Sequence, residues 1–273
     1  MKNPYSFSML DDQNSNDIKF RDISDRCLYH DDNLTLESIS GISIIHINAR
    51  SIKNKFDELQ NLIQRSGVDW SAICISETWL KKDVENLFEL DNYLLYASSR
   101  ENSQGGGTAI YVNKRIESKR RNGLEGVLAE STFVEISLKK NKIANTMIIG
   151  QVYKPPNLNN TVFLDQLEYF FSVNETGKNL YILAGDFNFN FWQLPNDKNA
   201  LALFNLMTSF NFIPTISKPT RMCNDQEPSL LDNFFINDIS YVSSSGIIVD
   251  DISDHFPIFM SLDKIVAFEK KFY

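Results

Sequence analysis

The sequence predicts an α/β fold in which stacked β-sheets are flanked by helices, an α/β sandwich. Two observations predict it: many short apolar segments have the length and composition of strands, and only a few helical stripes lie between them. A third observation sets the size. The chain has 273 residues and 42% hydrophobic content, enough for one sizeable core, so we expect one large domain and not two small ones.

The strands are predicted from apolar, β-branched and aromatic runs that end at polar or turn residues. The fourth of them is entered through three consecutive glycines, Gly105 to Gly107. The last three follow one another at the end of the chain, where strands again dominate. The predicted strands cover residues 43–48, 71–76, 93–98, 108–113, 132–138, 145–153, 179–185, 230–237, 241–249 and 256–262.

The helices are predicted from apolar residues that recur at helical spacing. Residues 51–66 place five apolar side chains on one stripe, and residues 162–173 and 198–212 are the other two helical segments. The stripe of the first helix consists of Ile52, Phe56, Leu59, Leu62 and Ile63.

The ends of the chain lie outside the region of regular hydrophobic periodicity. Residues 1–40 are polar and acidic without sustained periodicity, which indicates a disordered or loosely attached leader. We therefore expect a leader at 1–40, one domain at 41–265 and a short tail at 266–273. No apolar run is long enough to span a membrane and no signal peptide is visible, so we expect a soluble, intracellular protein with no membrane partner.

The formal net charge of -8 argues at face value against a nucleic-acid partner. The charge is unevenly distributed, however: the leader holds eight acidic and four basic residues, and the rest of the chain holds 27 and 23. A mildly acidic body can still carry a local basic face. Candidate clusters are Lys53 with Lys55, the stretch from Arg115 to Arg121, Lys139 with Lys140 and Lys142, and Lys218 with Arg221, although each alone is equally compatible with a solvated surface.

Polar residues recur where the predicted strands stop. Asn48 and Glu77 follow the first two strands, and Asp186 and Asn188 follow the strand at 179–185 on one side of the extended chain. Asp254 and His255 precede the last strand. These strand ends could converge on one acidic pocket.

Asp232 lies inside an apolar strand, where an unpartnered carboxylate is expensive to desolvate. Each polar residue taken singly also has an ordinary interpretation: Asn188 could cap a turn, Asp186 could form an Asx turn, and His255 could be a packed histidine. As a set, carboxylates, amides and one histidine are the ingredients of metal-assisted phosphodiester hydrolysis, because a hard divalent cation prefers oxygen ligands.

Eight ordered motifs then resemble the endonuclease/exonuclease/phosphatase superfamily, and most closely the apurinic-like endonuclease domains of non-LTR retrotransposons. The resemblance covers residues 42 to 263 and implies a four-layered α/β sandwich of two packed, mostly antiparallel sheets flanked by helices, the DNase I-like fold. The motifs are INARS (47–51), SETWL (76–80), GGGTAIYV (105–112), VYKPP (152–156), GDFN (185–188), PTR (219–221), SLLDNFF (229–235) and SDHFP (253–257).

The resemblance implies a role for each catalytic position. Glu77 is expected to be the principal Mg²⁺ ligand, with Asn48 and Asp254 nearby or contributing through water, and Mn²⁺ as a possible substitute. Asp186 is expected to activate or orient the attacking water, held by Asn188.

The same resemblance implies how the phosphate is bound. His255, oriented by Asp232, is expected to stabilise the charge that builds on a phosphate oxygen, and Tyr153 to contact the scissile phosphate or the leaving oxygen. Substrate-binding positions are expected at Arg50, Lys154, Thr220, Arg221 and Ser229.

The implied function is a Mg²⁺-dependent DNA-nicking endonuclease that leaves a 3′-hydroxyl, acting in the nucleus, with a reverse transcriptase of the parent element as a further partner. Alternatives are an apurinic repair nuclease, an inositol-phosphate phosphatase, and a catalytically decayed, domesticated binding protein. The phosphatase is disfavoured because such enzymes are expected to carry a tryptophan just before the G-D-x-N block, and the flank here is YILAGDFNFN.

Overall fold

Two large β-sheets and three α-helices form the body of the described part of the chain. The computed structural model describes residues 27–31, 39, 41–100, 105–139, 146–174, 176–223 and 226–270. Within these ranges, no helix combines the length and hydropathy required to cross a membrane. The strands are β1 (Leu28–His30), β2 (Ile42–Asn48), β3 (Ala72–Ser76), β4 (Tyr93–Ser98), β5 (Thr108–Asn113), β6 (Ser118–Arg120), β7 (Glu130–Ser137), β8 (Thr146–Tyr153), β9 (Leu180–Asp186), β10 (Ile213–Pro214), β11 (Arg221–Cys223), β12 (Gln226–Ser229), β13 (Asp232–Ile236), β14 (Val242–Ile248) and β15 (Ile258–Leu262).

The helices are fewer than the strands, as predicted. Among the described residues, one α-helix overlaps each of the three predicted helical segments, and the first predicted segment begins with a separate 3-10 turn. The α-helices are α1 (Phe56–Arg65), α2 (Asn160–Val173) and α3 (Lys198–Ser209), and 3-10 helices span Ile52–Asn54, Lys82–Phe88, Asn122–Leu124, Thr176–Lys178, Phe191–Gln193 and Ile239–Tyr241.

Both sheets are mostly antiparallel. The first has seven strands in the order β1-β14-β15-β2-β3-β5-β4, and the second has six in the order β10-β13-β9-β8-β7-β6. Parallel pairs occur only at β1 with β14, β2 with β3, and β8 with β9 among these strands. The strands β11 and β12 form a small ribbon apart from both sheets. This arrangement confirms the predicted fold class.

The buried side chains show four layers. One apolar cluster joins α1 to the outer face of the first sheet, as in the packing of Leu59 and Leu62 with Ile45 and Ile73. A second, larger cluster fills the space between the sheets and the outer face of the second sheet, where α2 and α3 pack. The order of layers is therefore α1, first sheet, second sheet, and α2 with α3.

The alternation of side chains along β2 determines which residues enter the space between the sheets. Ile45 and Ile47 point to the outer cluster, whereas Ile44 belongs to the inner one. His46 and Asn48 follow Ile44 at a period of two and hydrogen-bond residues of the second sheet. The largely apolar strand β2 thus places two polar side chains in the space between the sheets.

Parts of the segments predicted as leader and tail take part in the fold. Leu28–His30 form the edge strand β1, and Cys27 before it is fully buried. Ala267 and Glu269 form bridges to Leu138 and Ile116. Residues 1–26 lie outside the described part of the chain, so the proposed domain boundary remains a prediction. The short β1, β6, β10, β11 and β12 were not predicted.

Gly185, the residue before Asp186, lies where two strands approach closely. It is in register with Val152 of the parallel neighbour β8. A Cβ atom at this position would lie 1.8 Å from the backbone oxygen of Val152. Since a strand backbone cannot rotate away as a side chain can, only glycine fits.

We therefore expect Gly185→Ala to lower the free energy of unfolding by about 1 to 3 kcal/mol, the usual range for overpacking a core. Urea denaturation followed by circular dichroism measures this effect. Gly123→Ala is the matched control, because no atom lies within 4 Å of the added Cβ and no positive φ is required there. Equal stability of the two variants would contradict the steric explanation.

Candidate active site

The carboxyl ends of four strands meet at one end of the sandwich. Asn48, at the end of β2, is in register with Ser76, which ends β3. Asp186, at the end of β9, is in register with Tyr153 on β8 and with Asp232 at the start of β13. The polar residues that the sequence places at strand ends are therefore neighbours across both sheets.

His255 and Asp232 form a buried pair. The ring Nδ1 of His255 lies 2.8 Å from Oδ2 of Asp232, and the hydroxyl of Thr220 donates to the same oxygen over 2.6 Å. Asp232 is fully buried and His255 nearly so. The position of Asp232 within an apolar strand is thus explained, because its carboxylate has partners on both sides.

Electrostatics favours the charged form of both members of this pair. Burial alone would raise the pKa of Asp232, but the His255 imidazolium and hydrogen bonds from His255 and His46 hold the pKa well below its usual range. For His255, burial lowers the pKa, but Asp232, Asp186 and Asp254 together raise it to about 9. At neutral pH the site therefore presents an imidazolium supported by a buried carboxylate.

Asp186 is held by two asparagines. Asn48 Nδ2 donates to its Oδ2 over 2.9 Å, and the backbone N–H of Asn188 donates to its Oδ1 over 3.0 Å. The Asn188 side chain donates to the Lys154 carbonyl over 2.8 Å and, more weakly, to Asp186. These contacts fix the carboxylate in one orientation.

The environment of Asp186 disfavours the charged form of its carboxyl group. Burial, followed by the repulsion of Asp232, raises its pKa to about 7 despite the opposing effects of His255 and the Asn188 N–H. A carboxyl group whose pKa lies near neutral pH is suited to accept a proton from water or to orient it.

Glu77 is a half-buried carboxylate of the site. Asn48 Nδ2 donates to its Oε1 over 3.1 Å, and the indole N–H of Trp79 donates to its Oε2 over 3.3 Å. The backbone of Trp79 is in turn bonded to the carbonyl of Gly106. The glycine segment before β5 therefore supports the loop that carries Glu77.

Tyr153 and Lys154 lie beside these carboxylates. Burial, and then Glu77 and Asp186, raise the pKa of the Tyr153 hydroxyl, which keeps it protonated as a donor. Lys154 is buried, with its ammonium 5.3 Å from the centre of the Phe189 ring. Burial lowers the pKa of Lys154, and Asp186 partly opposes this effect.

Asp254 joins two arginines at the rim. Its Oδ2 lies 2.8 Å from Arg50 and 2.9 Å from Arg221. Arg221 also forms a backbone bridge with His255, and Ser229 is in register with Arg221 across the small ribbon. All thirteen residues predicted for the site, including Thr220 at the side of Asp232, thus belong to one connected region.

Several residues at this end have a left-handed backbone that is unusual for residues other than glycine. Glu77 and Trp79 both have φ 52°, and Asn188 has φ 51°. Arg50 and Ser51, after β2, have φ 43° and 91°. Such strain clusters at functional sites, where the surrounding structure holds it in place.

The donor set fits a hard divalent cation. Glu77 and Asn48 contribute a carboxylate and an amide, and the buried Oδ1 of Asp254 has no hydrogen-bond partner among the described residues. Asp186, Asp232 and His255 also carry potential ligand atoms within 4.8 Å of one another. In that second group, both oxygens of Asp232 accept hydrogen bonds from the buried His46 and His255, whereas the first group offers an oxygen, Oδ1 of Asp254, that no described residue hydrogen-bonds, so we favour the first group as the metal site.

The predicted basic clusters differ in whether their side chains are paired with acidic residues. In the stretch from Arg115 to Arg121, the basic side chains pair with Asp69, Glu125 and Glu135 and do not form a free basic face. At the end that carries the site, Lys53 is exposed and Lys55 is half-buried near Arg50. The basic surface near the site therefore comes from 50–55 and 218–221.

Three residues that contact the site were not identified from the sequence. His46 contacts Asp232, Trp79 contacts Glu77, and the hydroxyl of Ser253 donates to the Asn48 carbonyl over 2.7 Å. The sequence does contain a signal for His46. It is a polar residue inside an apolar strand, as Asp232 is in β13, and it lies two positions before Asn48.

Comparison with known proteins gives a match to one protein family. A model described as the Endonuclease/Exonuclease/phosphatase family matches residues 45–255. No curated protein sequence matches the chain.

Solved structures share the fold at low sequence identity. The endonuclease domain of TRAS1, a telomere-specific non-LTR retrotransposon, is 15% identical with a TM-score of 0.62, covering 81% of this chain and 98% of that one. The catalytic domain of Xenopus laevis APE2 is 14% identical with a TM-score of 0.68, covering 85% and 94%. The AP endonuclease LMAP from Leishmania major is 14% identical with a TM-score of 0.65, covering 88% and 94%.

Proposed function

The chain belongs to the endonuclease/exonuclease/phosphatase family, whose members hydrolyse phosphoester bonds, and on that premise we propose that it is a Mg²⁺-dependent endonuclease that nicks DNA. We assign it to the retrotransposon type, which leaves a 3′-hydroxyl. The INARS, SETWL and PTR motifs favour this type over repair enzymes, and the similarity to the TRAS1 endonuclease domain supports it.

One observation carries the proposal: Asp186 and the His255–Asp232 pair, from distant parts of the chain, face each other within 4.8 Å. A carboxylate with a pKa near 7 can take a proton from an attacking water, while an imidazolium opposite it can donate to a phosphate oxygen. Together, these two functions support the hydrolysis of a phosphodiester.

The other residues orient these groups and the substrate. Asn48 and Asn188 hold Asp186, and the protonated Tyr153 hydroxyl can donate to the phosphate or the leaving oxygen. Glu77, Asn48 and Asp254 are the residues that would hold Mg²⁺, or Mn²⁺ in its place. When bound, the cation supplies a Lewis acid that polarises the phosphoryl oxygen.

Substrate contacts are proposed at five residues. Arg50, Arg221 and Ser229 are exposed or half-buried at the rim, whereas Lys154 and Thr220 are buried beside Asp186 and Asp232. Because phosphate contacts depend on ionic strength, binding to nonspecific DNA should weaken as salt increases. Nuclear action and a reverse transcriptase as partner follow from the proposed role and need separate tests.

The test is nicking of supercoiled plasmid in the presence of Mg²⁺, with EDTA as the metal-free arm. We expect open circles with Mg²⁺ and none with EDTA, and the 3′-ends should support primer extension without phosphatase treatment. Failure of primer extension would reject the 3′-hydroxyl product. Failure to nick under any metal would indicate the decayed binding protein.

Two further substrates separate the alternatives within the family. An oligonucleotide with one abasic site tests the repair activity, to which the similarity to APE2 and LMAP gives some support. Release of inorganic phosphate from inositol phosphates tests the phosphatase. Faster cleavage of either substrate than of intact plasmid would replace the proposed function.

We expect Glu77→Ala to raise the Mg²⁺ concentration required for half-maximal nicking, because the variant loses the carboxylate proposed as principal ligand. A Mg²⁺ titration of the nicking rate measures the shift. Glu58→Ala is a suitable control, since Glu58 is an exposed carboxylate in the first turn of α1. An unchanged titration would count against Glu77 as a ligand.

A further inference from the structure

His46 is a fully buried histidine between the two sheets. It lies on β2 beside Cys74 of β3, and its side chain crosses to the second sheet. Its Nε2 lies 3.3 Å from Oδ1 of Asp232, and its Nδ1 lies 3.1 Å from the side-chain oxygen of Gln151 on β8. A histidine is therefore connected to the carboxylate that supports His255, at the carboxylate oxygen that His255 does not contact.

The two oxygens of Asp232 are held by different partners. His255 and Thr220 share Oδ2, and His46 contacts Oδ1. An ionised carboxylate can only accept hydrogen bonds, so the facing nitrogens of both histidines carry protons. A carboxylate held only at one oxygen is free to rotate about its side-chain torsion, and that rotation would lengthen its bond to His255.

We propose that His46 is a positioning residue, which fixes Asp232 from behind so that Asp232 holds His255 in the orientation needed at the phosphate. His46 itself touches neither the substrate nor the reacting atoms. Gln151 lies at the other ring nitrogen of His46; because Nε2 carries the proton that faces Asp232, Nδ1 accepts, and the side-chain amide of Gln151 fixes the ring when its NH₂ group faces Nδ1. The order of contacts is Gln151, His46, Asp232 and His255, and it spans both sheets.

This arrangement explains why a polar residue interrupts the apolar β2. A leucine would fill the same space at no desolvation cost, but it would leave Oδ1 of Asp232 without a partner among the described residues. A buried acceptor that loses its partner costs about 1 to 3 kcal/mol. The two sheets thus share a hydrogen-bonded contact directly beneath the proposed site.

The inference rests on the proposed function for its kinetic consequences, but its main test does not depend on activity. The full-length chain labelled with ¹⁵N-histidine contains three histidines, so their ring signals can be assigned from single variants. We expect the Nδ1–H proton of His255 to give a downfield, slowly exchanging signal because of its bond to Asp232. In His46→Leu this signal should move upfield or broaden by exchange.

His46→Gln should preserve the signal, because its amide can still donate to Asp232. Cys74→Ala is the matched control, since Cys74 is buried in register with His46 on the neighbouring strand and belongs to the apolar cluster between the sheets. If His46→Leu does not fold, Gln151→Leu provides the same test, because it leaves His46 in place but removes its outer partner.

The kinetic measurement distinguishes a positioning role of His46 from a general effect on the structure. In an active enzyme, His46→Leu should lower kcat about 10 to 100-fold with KM nearly unchanged, as is typical when an outer hydrogen-bond partner is lost, and His46→Gln should restore most of it. An unchanged His255 signal in folded His46→Leu and Gln151→Leu would overturn the inference. An inactive wild-type protein whose His255 signal responds to His46→Leu would instead reject only the proposed function.

Discussion

Asp186→Ala and His255→Ala should each reduce plasmid nicking by about 100 to 1000-fold while leaving the fold intact. Loss of one preorganised group from a charge-stabilising site typically has this effect. Asp186 provides the proposed proton acceptor, and His255 provides the proposed donor to the phosphate. Rates from supercoiled plasmid under excess Mg²⁺ measure the loss, and circular dichroism checks the fold.

Matched controls are available for both variants. His30→Ala removes a histidine that packs on Phe259 in the edge strand, and Asp165→Ala removes an exposed carboxylate on α2. Both controls should retain normal nicking. Near-normal cleavage by Asp186→Ala or His255→Ala would refute the assignment of that residue.

The second large effect is expected on stability. Asp232→Ala should lower the free energy of unfolding by about 3 to 5 kcal/mol at pH 5.5, because it leaves the buried His255 imidazolium without its carboxylate. The effect should be clearly smaller at pH 9.5. Urea denaturation of the metal-free protein at both pH values measures the difference.

The direction of this pH dependence follows from the two pKa shifts. The pKa of His255 is raised to about 9, so its stabilising contribution is complete below its unfolded value near 6.5 and is lost as the pH rises through 9. The pKa of Asp232 is lowered, so its contribution is present above its unfolded value near 4 and is lost as the pH falls below it. The contribution of the pair is therefore largest between about pH 4 and 6.5.

Glu135→Gln is the control for this experiment. Glu135 is another buried carboxylate whose pKa is lowered, against burial, by Lys119 and Arg121. Lysine and arginine side chains ordinarily remain charged at both pH values, so the effect of Glu135→Gln should change little between pH 5.5 and 9.5. An effect of Asp232→Ala that is independent of pH would contradict a charged Asp232–His255 pair.

Most of the strands and the α-helices α1, α2 and α3 could be predicted because their signals are local. Alternation along β2 and the apolar run of β9 are visible in a few consecutive residues, as is the helical stripe from Ile52 to Ile63. The short strands β1, β6 and β10 were missed, because two or three residues carry no measurable period. They form only because a neighbouring strand offers backbone partners.

The residue types of the site could also be named in advance, because polar side chains at the ends of buried strands need a reason. The resemblance to a known family then gave each residue an expected role. His46 escaped notice because a single histidine in an apolar strand is ambiguous until its partner is known. That partner, Asp232, is 186 residues further along the chain.

The sequence by itself determined which segments extend or coil and which polar side chains stand at strand ends, because each of these depends on neighbours within a few positions. Only the tertiary structure decided that Asn48 reaches Asp186, that Asp232 lies between two histidines, and that the arginines from 115 to 121 are neutralised by acids. The pairing register of strands distant in the chain fixes these contacts, and that register depends on the packing of both sheets together.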